Sequence, residues 1–558
     1  MTLFYFIPRH TLADQVAQEF EILNRGLRSA VYRGIDRPDP DQPDHAMCRD
    51  RELAKAAMDA GQSLEAACDV CVMSLICAYR KQRDIVTDIW VLPNHMAFLH
   101  KPDWLPEPKI LIFDEDFNQA GLEGFDKSNP LRVSISTFSA QPTIFPDGKG
   151  NVDADRADLL VYRNKFCKAL ASGEGPLRRK AIEHSGLTAD DCREAMRIEC
   201  RYKFRLVLLE NTSRDVALRS FRRIKNKFTS RVPLVWELLS EFLESDFDTS
   251  PCLSVLRNQK APNGEGSADY LQIHRRRNIS ESYLNKPTLI LDATGNVDLI
   301  EPYFPAVKEV ANISAHAPNR HIRQVPDRTF AKSMFIYPDD SPTAENNVRR
   351  LHRVLEVDAA KHRAKGNDGI DVLAVCQKDV EAELEKHSEI AGLDMAHFNA
   401  IAGVNKWENV AKQVVIGRTL PPPKEIEHMA AVLTGKPVMT LSQAENNWWR
   451  FPVPIHMQNG TKQYVMAPRH PDSIAEALRW QICEGQLLQT EGRGRAVNRG
   501  SENLLCVDLF TNTPLPLPIN ETTQWNEIQP SPIELMASRG IVGLDWPTLA
   551  TVLPDRFK

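Results

Sequence analysis

Lys109-Ile110-Leu111-Ile112-Phe113-Asp114-Glu115 is a short apolar run that ends in two carboxylates. An apolar run of this length, bounded by charged residues, predicts a buried strand of a parallel sheet. Open parallel sheets bind ligands at the carboxyl ends of their strands, which is where Asp114 and Glu115 stand. Such carboxylates can hold Mg²⁺ and orient an attacking water in nucleotide hydrolysis, although acid pairs after strands also serve as helix caps.

Strand-like and helix-like segments alternate on both sides of this run. Residues 3–7 form an apolar run, and apolar residues of 12–23 then share one helical face. Further strand-like runs occupy residues 288–291, 372–375, 414–416 and 504–507. This alternation predicts an α/β fold in which helices cover parallel sheets. Between about 154 and 245 the pattern is helical, which predicts an inserted helical domain.

The composition predicts a globular chain of several domains, with 558 residues, 42% hydrophobic and 26% charged. We find no run of eighteen apolar residues and no signal peptide, so we expect a cytoplasmic protein without a membrane span. Eleven cysteines in such a chain predict reduced thiols or metal ligands rather than disulfides. The net charge of -5 gives no global attraction to nucleic acid, so nucleic-acid binding would need local basic patches.

Four cysteines, Cys48, Cys68, Cys71 and Cys77, lie close together in the sequence. Four thiolates in one such segment suit a single metal centre. Zinc and an iron–sulfur cluster both accept four Cys ligands, so the ligand type leaves the metal open. Four unliganded thiols are the remaining alternative.

Two basic clusters are candidates for contacts with nucleic-acid phosphates. The first spans residues 219–231 and includes Arg222, Arg223 and Lys225, and the second is Arg275-Arg276-Arg277. Lys and Arg side chains contribute most of the electrostatic affinity for nucleic acids. Each cluster alone is equally typical of a solvated helix face.

Gln489-Thr490-Glu491-Gly492-Arg493-Gly494-Arg495 combines two cations with glycines that allow close approach of the backbone. These are the groups needed to neutralise charge on a phosphoryl group during its transfer. Gln489, Arg493 and Arg495 are therefore candidate catalytic residues. The alternative is a basic turn that binds nothing.

These segments, in this order, resemble the motifs of iron–sulfur superfamily 2 DNA helicases of the DinG and XPD type. The likeness is greatest to the helicase modules of prophage and plasmid primase-helicase proteins. The matching segments are Pro8-Arg9-His10-Thr11-Leu12 (motif Ia), Cys77-Ala78-Tyr79, Asn94-His95, Asp114-Glu115 (motif II), Asp292-Ala293-Thr294 (motif III), residues 397–407 and 414–422 (motif V), and residues 489–499 (motif VI).

The resemblance implies two RecA-like domains, a small four-cysteine cluster domain and a helical arch-like insertion. The implied boundaries are 1–40, 86–150 and 266–315 for the first RecA-like domain, 41–85 for the cluster domain, 151–265 for the arch, 316–515 for the second RecA-like domain and 516–558 for a C-terminal tail. It implies a [4Fe-4S] cluster on the four cysteines, with ATP and Mg²⁺ at Asp114 and Glu115. The implied substrate is single-stranded or forked DNA, unwound 5′ to 3′, with contacts from Arg222, Arg223, Lys225, Arg275, Arg276, Asn405 and Trp407.

One expected element is missing from the sequence, the phosphate-binding loop. That loop needs two glycines spaced for a tight turn, followed by Lys and Ser or Thr. The chain's Gly-Lys pairs, Gly148-Lys149 and Gly435-Lys436, are followed by Gly and Pro. In the family, motif Ia directly follows the loop helix, so we expect an upstream polypeptide segment to carry the loop; the alternative is a degenerate protein that has kept the DNA-binding residues and lost the motor.

We therefore expect an ATP-dependent DNA helicase, or the larger part of one, that hydrolyses negligible ATP as the isolated chain. The alternative is an iron–sulfur or zinc protein that binds DNA without hydrolysis. A two-metal nuclease built on Asp114, Glu115 and Asp116 is a weaker third possibility, because adjacent acids project in different directions.

Overall fold

The computed structural model describes residues 2–24, 26–142, 151–201, 206, 208, 212–224, 231–260, 266–336, 341–363, 369–401, 406–441, 447–540, 545, 547, 550 and 551. The chain divides into two compact units. The first is Met1–Leu291 with His428–Val438, and the second is Asp292–Glu427 with Met439–Lys558. Each unit contains a parallel sheet with helices, so the prediction of an α/β fold with parallel sheets is confirmed.

The strands are, in chain order, β1 (Leu3–Ile7), β2 (Ser29–Val31), β3 (Pro38–Asp39), β4 (Gln42–Ala46), β5 (Ile89–Pro93), β6 (Ile110–Asp114), β7 (Leu122–Glu123), β8 (Arg132–Ser134), β9 (Gly175–Arg178), β10 (Thr249–Lys260), β11 (Ser267–Ile273), β12 (Arg275–Arg276), β13 (Thr288–Leu291), β14 (Arg320–Gln324), β15 (Val372–Cys376), β16 (Leu393–His397), β17 (Lys412–Ile416), β18 (Trp449–His456), β19 (Lys462–Arg469), β20 (Leu505–Phe510) and β21 (Glu521–Thr522).

The α-helices are α1 (Ala13–Leu23), α2 (Arg51–Asp59), α3 (Leu64–Cys68), α4 (Ala78–Lys81), α5 (Asn118–Gly121), α6 (Ser136–Ser139), α7 (Val152–Leu170), α8 (Arg179–His184), α9 (Ala189–Arg201), α10 (Arg214–Arg223), α11 (Arg231–Glu244), α12 (Val297–Ile300), α13 (Lys332–Phe335), α14 (Pro342–His362), α15 (Lys378–Leu384), α16 (Pro423–Thr434), α17 (Ser473–Trp480), α18 (Gln486–Glu491) and α19 (Pro532–Ser538). Within the described ranges, no helix combines the length and the apolar character needed to cross a lipid bilayer.

A parallel sheet with the strand order β13-β6-β1-β5-β2 forms the centre of the first unit. The apolar run Ile110–Asp114 is strand β6 of this sheet, and it lies between β1 and β13. Phe4, Phe6 and Phe113 are fully buried, and the rings of Phe6 and Phe113 stack with centroids 4.6 Å apart. The same aromatic residues that give these runs their strand-like pattern thus form the core of the sheet.

A second sheet of the first unit is antiparallel, with the order β8-β11-β10-β9. Helices α7, α9 and α11 pack on it around the buried side chains of Phe166, Ile198 and Trp236. The predicted helical insertion, 151–265, therefore also contains β9 and β10. Leu253 and Val255 of β10 are buried at alternate positions, which is the pattern of a strand covered on one face.

The second unit contains a parallel sheet with the order β16-β15-β17-β20-β14-β21. Its central strands β15 and β17 are buried at every position, as expected where both faces of a parallel sheet are covered. Two apolar clusters share these strands, one around Leu373 and Leu509 and one around Val372 and Phe510. The strands β18 and β19 form a separate antiparallel hairpin.

Candidate functional sites

The acid pair lies at the carboxyl end of β6, as the sequence predicts. Asp114 is the last residue of β6, and Glu115 follows with a φ of 63°, in the left-handed region that non-glycine residues rarely adopt. The Glu115 N–H donates to the carbonyl of Leu291, 2.8 Å away at the end of β13. Burial, together with the hydrogen-bonded Asp114 carboxylate, raises the pKa of Tyr5. The Tyr5 hydroxyl on β1 therefore stays protonated and donates to Asp114.

Asn94, the residue directly after β5, supports the same edge of the sheet. Its side-chain amide donates to the carbonyl of Asp116 over 3.1 Å, and an Asp116 carboxylate oxygen accepts the N–H of Asn118 over 2.7 Å. Asp116 is therefore used in the turn after β6. The edge thus presents Asp114 and Glu115 on a loop fixed from both neighbouring strands, an arrangement suited to holding Mg²⁺ and orienting a water.

The four clustered cysteines lie between β4 and α4. Cys48, Cys68 and Cys77 are buried, and Cys71 is half-buried. The thiols of Cys48 and Cys77 are hydrogen-bonded to each other, the Cys77 thiol also donates to the Met47 carbonyl over 3.5 Å, and the backbone N–H groups of residues 49, 79 and 80 lie nearby. The hydrogen bond from Cys48, reinforced by these amides, lowers the pKa of Cys77 to about 5, while it raises the pKa of Cys48. One thiol of this pair is therefore predisposed to lose its proton.

Cys68 and Cys71 lie close enough to Cys77 for its charge to raise their pKa values. Burial first, and then the Cys77 charge, raise the pKa of Cys68 to about 11, and burial raises the pKa of Cys71. As the side chains stand, no group of three or more His, Cys, Asp or Glu in the described residues has metal-binding geometry. The donor set nevertheless fits a thiolate-bound metal by its chemistry, since one segment contains four sulfurs and amide donors that favour a thiolate.

The first basic cluster packs against the cysteine segment. Helix α10 contacts α2 through Phe221, which shares an apolar cluster with Leu53 of α2. Arg214 of α10 donates to both carboxylate oxygens of Asp50, over 2.5 and 2.8 Å, and Asp50 in turn caps the N-terminus of α2. This contact joins residues far apart in the chain, and the sequence pattern contained no sign of it.

Two of the predicted DNA contacts lie on this helix. Arg222 is exposed and forms an ion pair with Glu52 over 2.5 Å, and Arg223 is exposed at the end of α10. Lys225 lies outside the described residues. Helix α10 thus presents cations beside the cysteine segment, and their contact with DNA stays a prediction.

The second basic cluster has partners within the first unit. Arg275 donates to Glu123 over 2.6 Å, and Arg276 donates to the carbonyl of Leu433 over 2.9 Å. Arg277, the third residue of the cluster, donates to the Phe98 carbonyl over 2.9 Å and lies over its ring. These arginines therefore stabilise the first unit. Whether Arg275 and Arg276 also contact DNA stays a prediction.

In the second unit, the predicted motifs III and VI meet. The Gln489 side-chain amide donates to the hydroxyl of Thr294 over 3.2 Å. Thr294 is buried, and its N–H and hydroxyl both donate to Asp292, over 2.8 and 3.0 Å. A Cβ added to Gly485 would lie 3.4 Å from Thr294. The two segments are therefore in direct contact, although they are distant in the sequence.

The loop after α18 fixes the two candidate arginines. Arg493 is buried, and Arg495 has a φ of 48°. A Cβ added to Gly494 would lie 2.5 Å from the end of the Leu505 side chain, so a larger residue there would require Leu505 to shift. Arg499 donates to the Gly494 carbonyl over 2.8 Å and thereby holds the loop. Sequence reasoning did not assign this supporting role to Arg499, because the bond depends on the folded loop.

Trp407, another predicted DNA contact, is a core residue of the second unit. Its side chain is 3% exposed, and its ring nitrogen donates to Asp394 over 2.6 Å. The Lys406 ammonium lies 4.8 Å above the ring and 2.7 Å from Asp394. Trp407 therefore positions this segment, and its contact with DNA stays a prediction. Asn405 lies outside the described residues.

A buried ion network in the second unit escaped sequence reasoning. Lys412 at the start of β17 lies 2.7 Å from Asp508 and 3.0 Å from Asp358, and Arg323 lies 2.6 Å from Asp508. These side chains line a cavity of about 410 Å³. The sequence shows Lys412 only as a charge before an apolar strand, with no sign of its partners. The two cations of this network are paired with its two carboxylates. None of the predicted site residues belongs to it.

Taken by position, the predicted residues fall into three groups. Asp114 and Glu115 lie at a sheet edge of the first unit, and the four thiols lie beside α10 in the same unit. Gln489, Arg493 and Arg495 lie with Thr294 in the second unit. No protein-family model and no curated protein matches this chain.

Proposed function

We propose that this chain is the larger part of an ATP-dependent DNA helicase that binds single-stranded or forked DNA. The observation that carries the proposal is the position of Asp114 and Glu115 at the carboxyl end of β6, between β1 and β13. Parallel sheets of this kind bind nucleotide at that edge. The two parallel sheets are compatible with two RecA-like domains, and the DinG and XPD resemblance supplies the expected 5′ to 3′ direction.

Candidate ATP-binding residues are proposed in each unit by itself. Asp114 would hold Mg²⁺, directly or through water, and Glu115 would orient the attacking water. Gln489, Arg493 and Arg495 would supply the polar and cationic groups that neutralise phosphate charge. The contact of Gln489 with Thr294 supports this assignment, because it links the segment of the candidate arginines to motif III within one unit.

A [4Fe-4S] cluster on Cys48, Cys68, Cys71 and Cys77 is proposed as the metal centre, with zinc as the alternative. Such a cluster would cross-link the segment between β4 and α4, which contains the short helices α2 and α3. The amide N–H groups around Cys77 favour its thiolate form. The free state of all eleven cysteines supports a reducing, cytoplasmic location.

We further propose that another polypeptide segment supplies the phosphate-binding loop. The sequence contains no such loop, and β13 is an edge strand of the sheet that carries the acid pair. Leu289 and Leu291 of β13 are 41% and 45% exposed. An unpaired strand edge with exposed apolar side chains can accept a further strand. If a further parallel strand paired with β13, the loop that follows this added strand would lie at the sheet edge that contains Asp114.

Metal analysis after anaerobic purification tests the proposal against its closest alternative. We expect a brown protein that absorbs visible light and contains about four iron atoms and four sulfides per chain. A colourless protein with one zinc and no iron would contradict the iron–sulfur assignment. A chain without any bound metal would contradict the thiolate centre itself.

The second candidate function is a DNA-binding protein that does not hydrolyse ATP. The packing of the basic helix α10 on the cysteine segment favours it, since this places cations beside the thiols without the need for a motor. The effect of ATP on DNA affinity distinguishes the two proposals, provided that the segment carrying the phosphate-binding loop is present. ATP should change the DNA affinity of a helicase, whereas the second candidate would show the same salt-dependent affinity with and without ATP.

A further inference from the structure

The hairpin of β18 and β19 carries large exposed side chains although it belongs to neither parallel sheet. Opposite residues of an antiparallel pair share a face, and here the pairs are Pro452 with Met466 and His456 with Lys462. Arg450 and Tyr464 lie on the same face by the two-residue alternation of the strands. Tyr464 is 61% and Met466 50% exposed. We call this surface the hairpin face; its members are Arg450, Pro452, His456, Lys462, Tyr464 and Met466.

The opposite face of the hairpin packs on the rest of the second unit around Ile455, while Trp449 and Phe451 of that face are 46% and 47% exposed. Ile455 is fully buried, and Val465 packs against the same apolar cluster as Leu373 and Leu509. The hairpin face is therefore turned away from the core. This explains how aromatic and cationic side chains remain exposed on an otherwise well-anchored element.

Both ends of the hairpin are fixed. At one end Trp448 donates to the carbonyl of Pro421 over 3.1 Å, and Arg469 donates to Glu484 over 3.0 Å. At the turn, Gln458 donates its N–H to the carbonyl of Ile519 over 2.8 Å. The hairpin face is thus a preorganised platform, so a ligand would bind it at little conformational cost.

The charge of this segment favours a polyanion. Residues 446–471 contain no Asp or Glu, in a chain with 74 acidic and 69 basic residues. Among the described residues, Arg450 and Lys462 form no ion pair with a carboxylate. They stand at opposite ends of the face, about 20 Å apart along the strands at the usual rise per residue. Phosphates of an extended nucleic-acid strand can meet both cations.

The prolines of β18 argue against a protein strand as the occupant. Pro452 and Pro454 have no N–H to donate, so the outer edge of β18 is a poor template for another strand. The face itself offers a tyrosine ring between two cations. Rings and cations in this arrangement bind single strands, because every base can stack on a ring while the cations hold the backbone.

We propose that the hairpin face binds single-stranded nucleic acid, with Tyr464 stacking on a base and Arg450 and Lys462 contacting phosphates. This rests on the proposed DNA-binding function and adds a surface that none of its predicted contacts includes. It also assigns a binding role to the second unit that does not depend on the buried ring of Trp407.

Fluorescence polarisation with a labelled oligo(dT) of about twenty nucleotides tests the proposal on the full, metal-loaded chain. Tyr464→Ala should weaken binding roughly 5- to 150-fold, while Tyr464→Phe, which keeps the ring, should bind like the wild type. The double variant Arg450→Ala/Lys462→Ala should reduce the slope of log affinity against log salt by about 1.4. Lys308→Ala, which removes an exposed lysine of the same unit, should leave the slope unchanged.

The outcomes separate this proposal from the function on which it rests. If the wild-type chain binds oligo(dT) and Tyr464→Ala binds equally well with unchanged melting temperature and metal content, the hairpin proposal is overturned and the proposed function stands. An unchanged salt slope in the double variant would overturn the phosphate contacts. If the wild-type chain binds no DNA, both fail together.

Discussion

The hydrogen-bonded pair of Cys48 and Cys77 is biased towards losing one proton, because the Cys48 hydrogen bond and nearby amides lower the pKa of Cys77. Replacing Cys77 with serine removes a sulfur ligand that the other cysteines cannot replace. We expect Cys77→Ser to lose visible absorption and most of about four iron atoms per chain. The exposed Cys200 provides the control, because Cys200→Ser should keep the full iron content. Normal iron content in Cys77→Ser would exclude Cys77 as a ligand.

His274 makes the stability of the chain depend on pH. Burial, with a smaller contribution from His428, lowers the pKa of His274 to about 4. The unfolded chain then binds a proton at higher pH than the folded chain, so stability should fall as pH drops from about 6.5 to 4. The loss should be on the order of 2 kcal/mol, since the ring is only partly buried. Urea titrations should show that His274→Phe does not lose this stability as the pH falls. A variant of the exposed His45, His45→Gln, should lose it as the wild type does.

At the scale of elements, the α10–α2 contact should decide how firmly the cysteine segment is held. Arg214→Ala leaves Asp50, a nearly buried helix cap, without its cationic partner. We expect faster release of iron to a chelator at neutral pH. Because Arg214 lowers the pKa of Asp50, the difference from wild type should shrink as acid protonates that carboxyl. Arg223→Ala on the same helix is the matched control, and equal release rates in all three proteins would refute this coupling.

The edge strand β13 should make the isolated chain associate with itself. Its exposed Leu289 and Leu291 lie on a strand whose outer edge pairs with no other strand among the described residues. A charge on such an edge opposes strand pairing. We expect Leu289→Lys to lower the weight-average mass seen by sedimentation at high protein concentration. Val310→Lys, at an exposed position of the second unit, should not change it. A wild-type chain that stays monomeric would contradict the prediction.

At the scale of the whole molecule, local patterns predicted the sheets, whereas most side-chain partners depended on contacts between distant residues. The apolar run of β6 and the acids after it were legible because strand burial and strand ends leave a local pattern. The ion pair of Arg214 with Asp50 joins residues separated by 164 positions, and no local pattern encodes it. The hairpin left two local signals that sequence reasoning missed, its Asn459-Gly460 turn and the absence of acids in 446–471.

The whole chain should not act as a motor by itself. Without a phosphate-binding loop it has no Lys to reach the γ-phosphate and no adjacent Ser or Thr to hold Mg²⁺. We expect ATP turnover by the purified chain to remain at the background of a Glu115→Gln variant, with or without DNA. DNA-stimulated hydrolysis above that background would show that the sequence holds a phosphate site of another kind.

Equilibrium binding to forked DNA is the measurement that decides whether this chain recognises single-stranded or forked DNA. The full chain, purified anaerobically with its metal, is titrated against a labelled fork and against a blunt duplex of the same sequence at several salt concentrations. We expect saturable binding to the fork, with an affinity at least about tenfold higher than the affinity for the duplex. The affinity for the fork should fall steeply as the salt concentration rises. Equal affinity for the two substrates, or no saturable binding at low salt, would contradict this expectation.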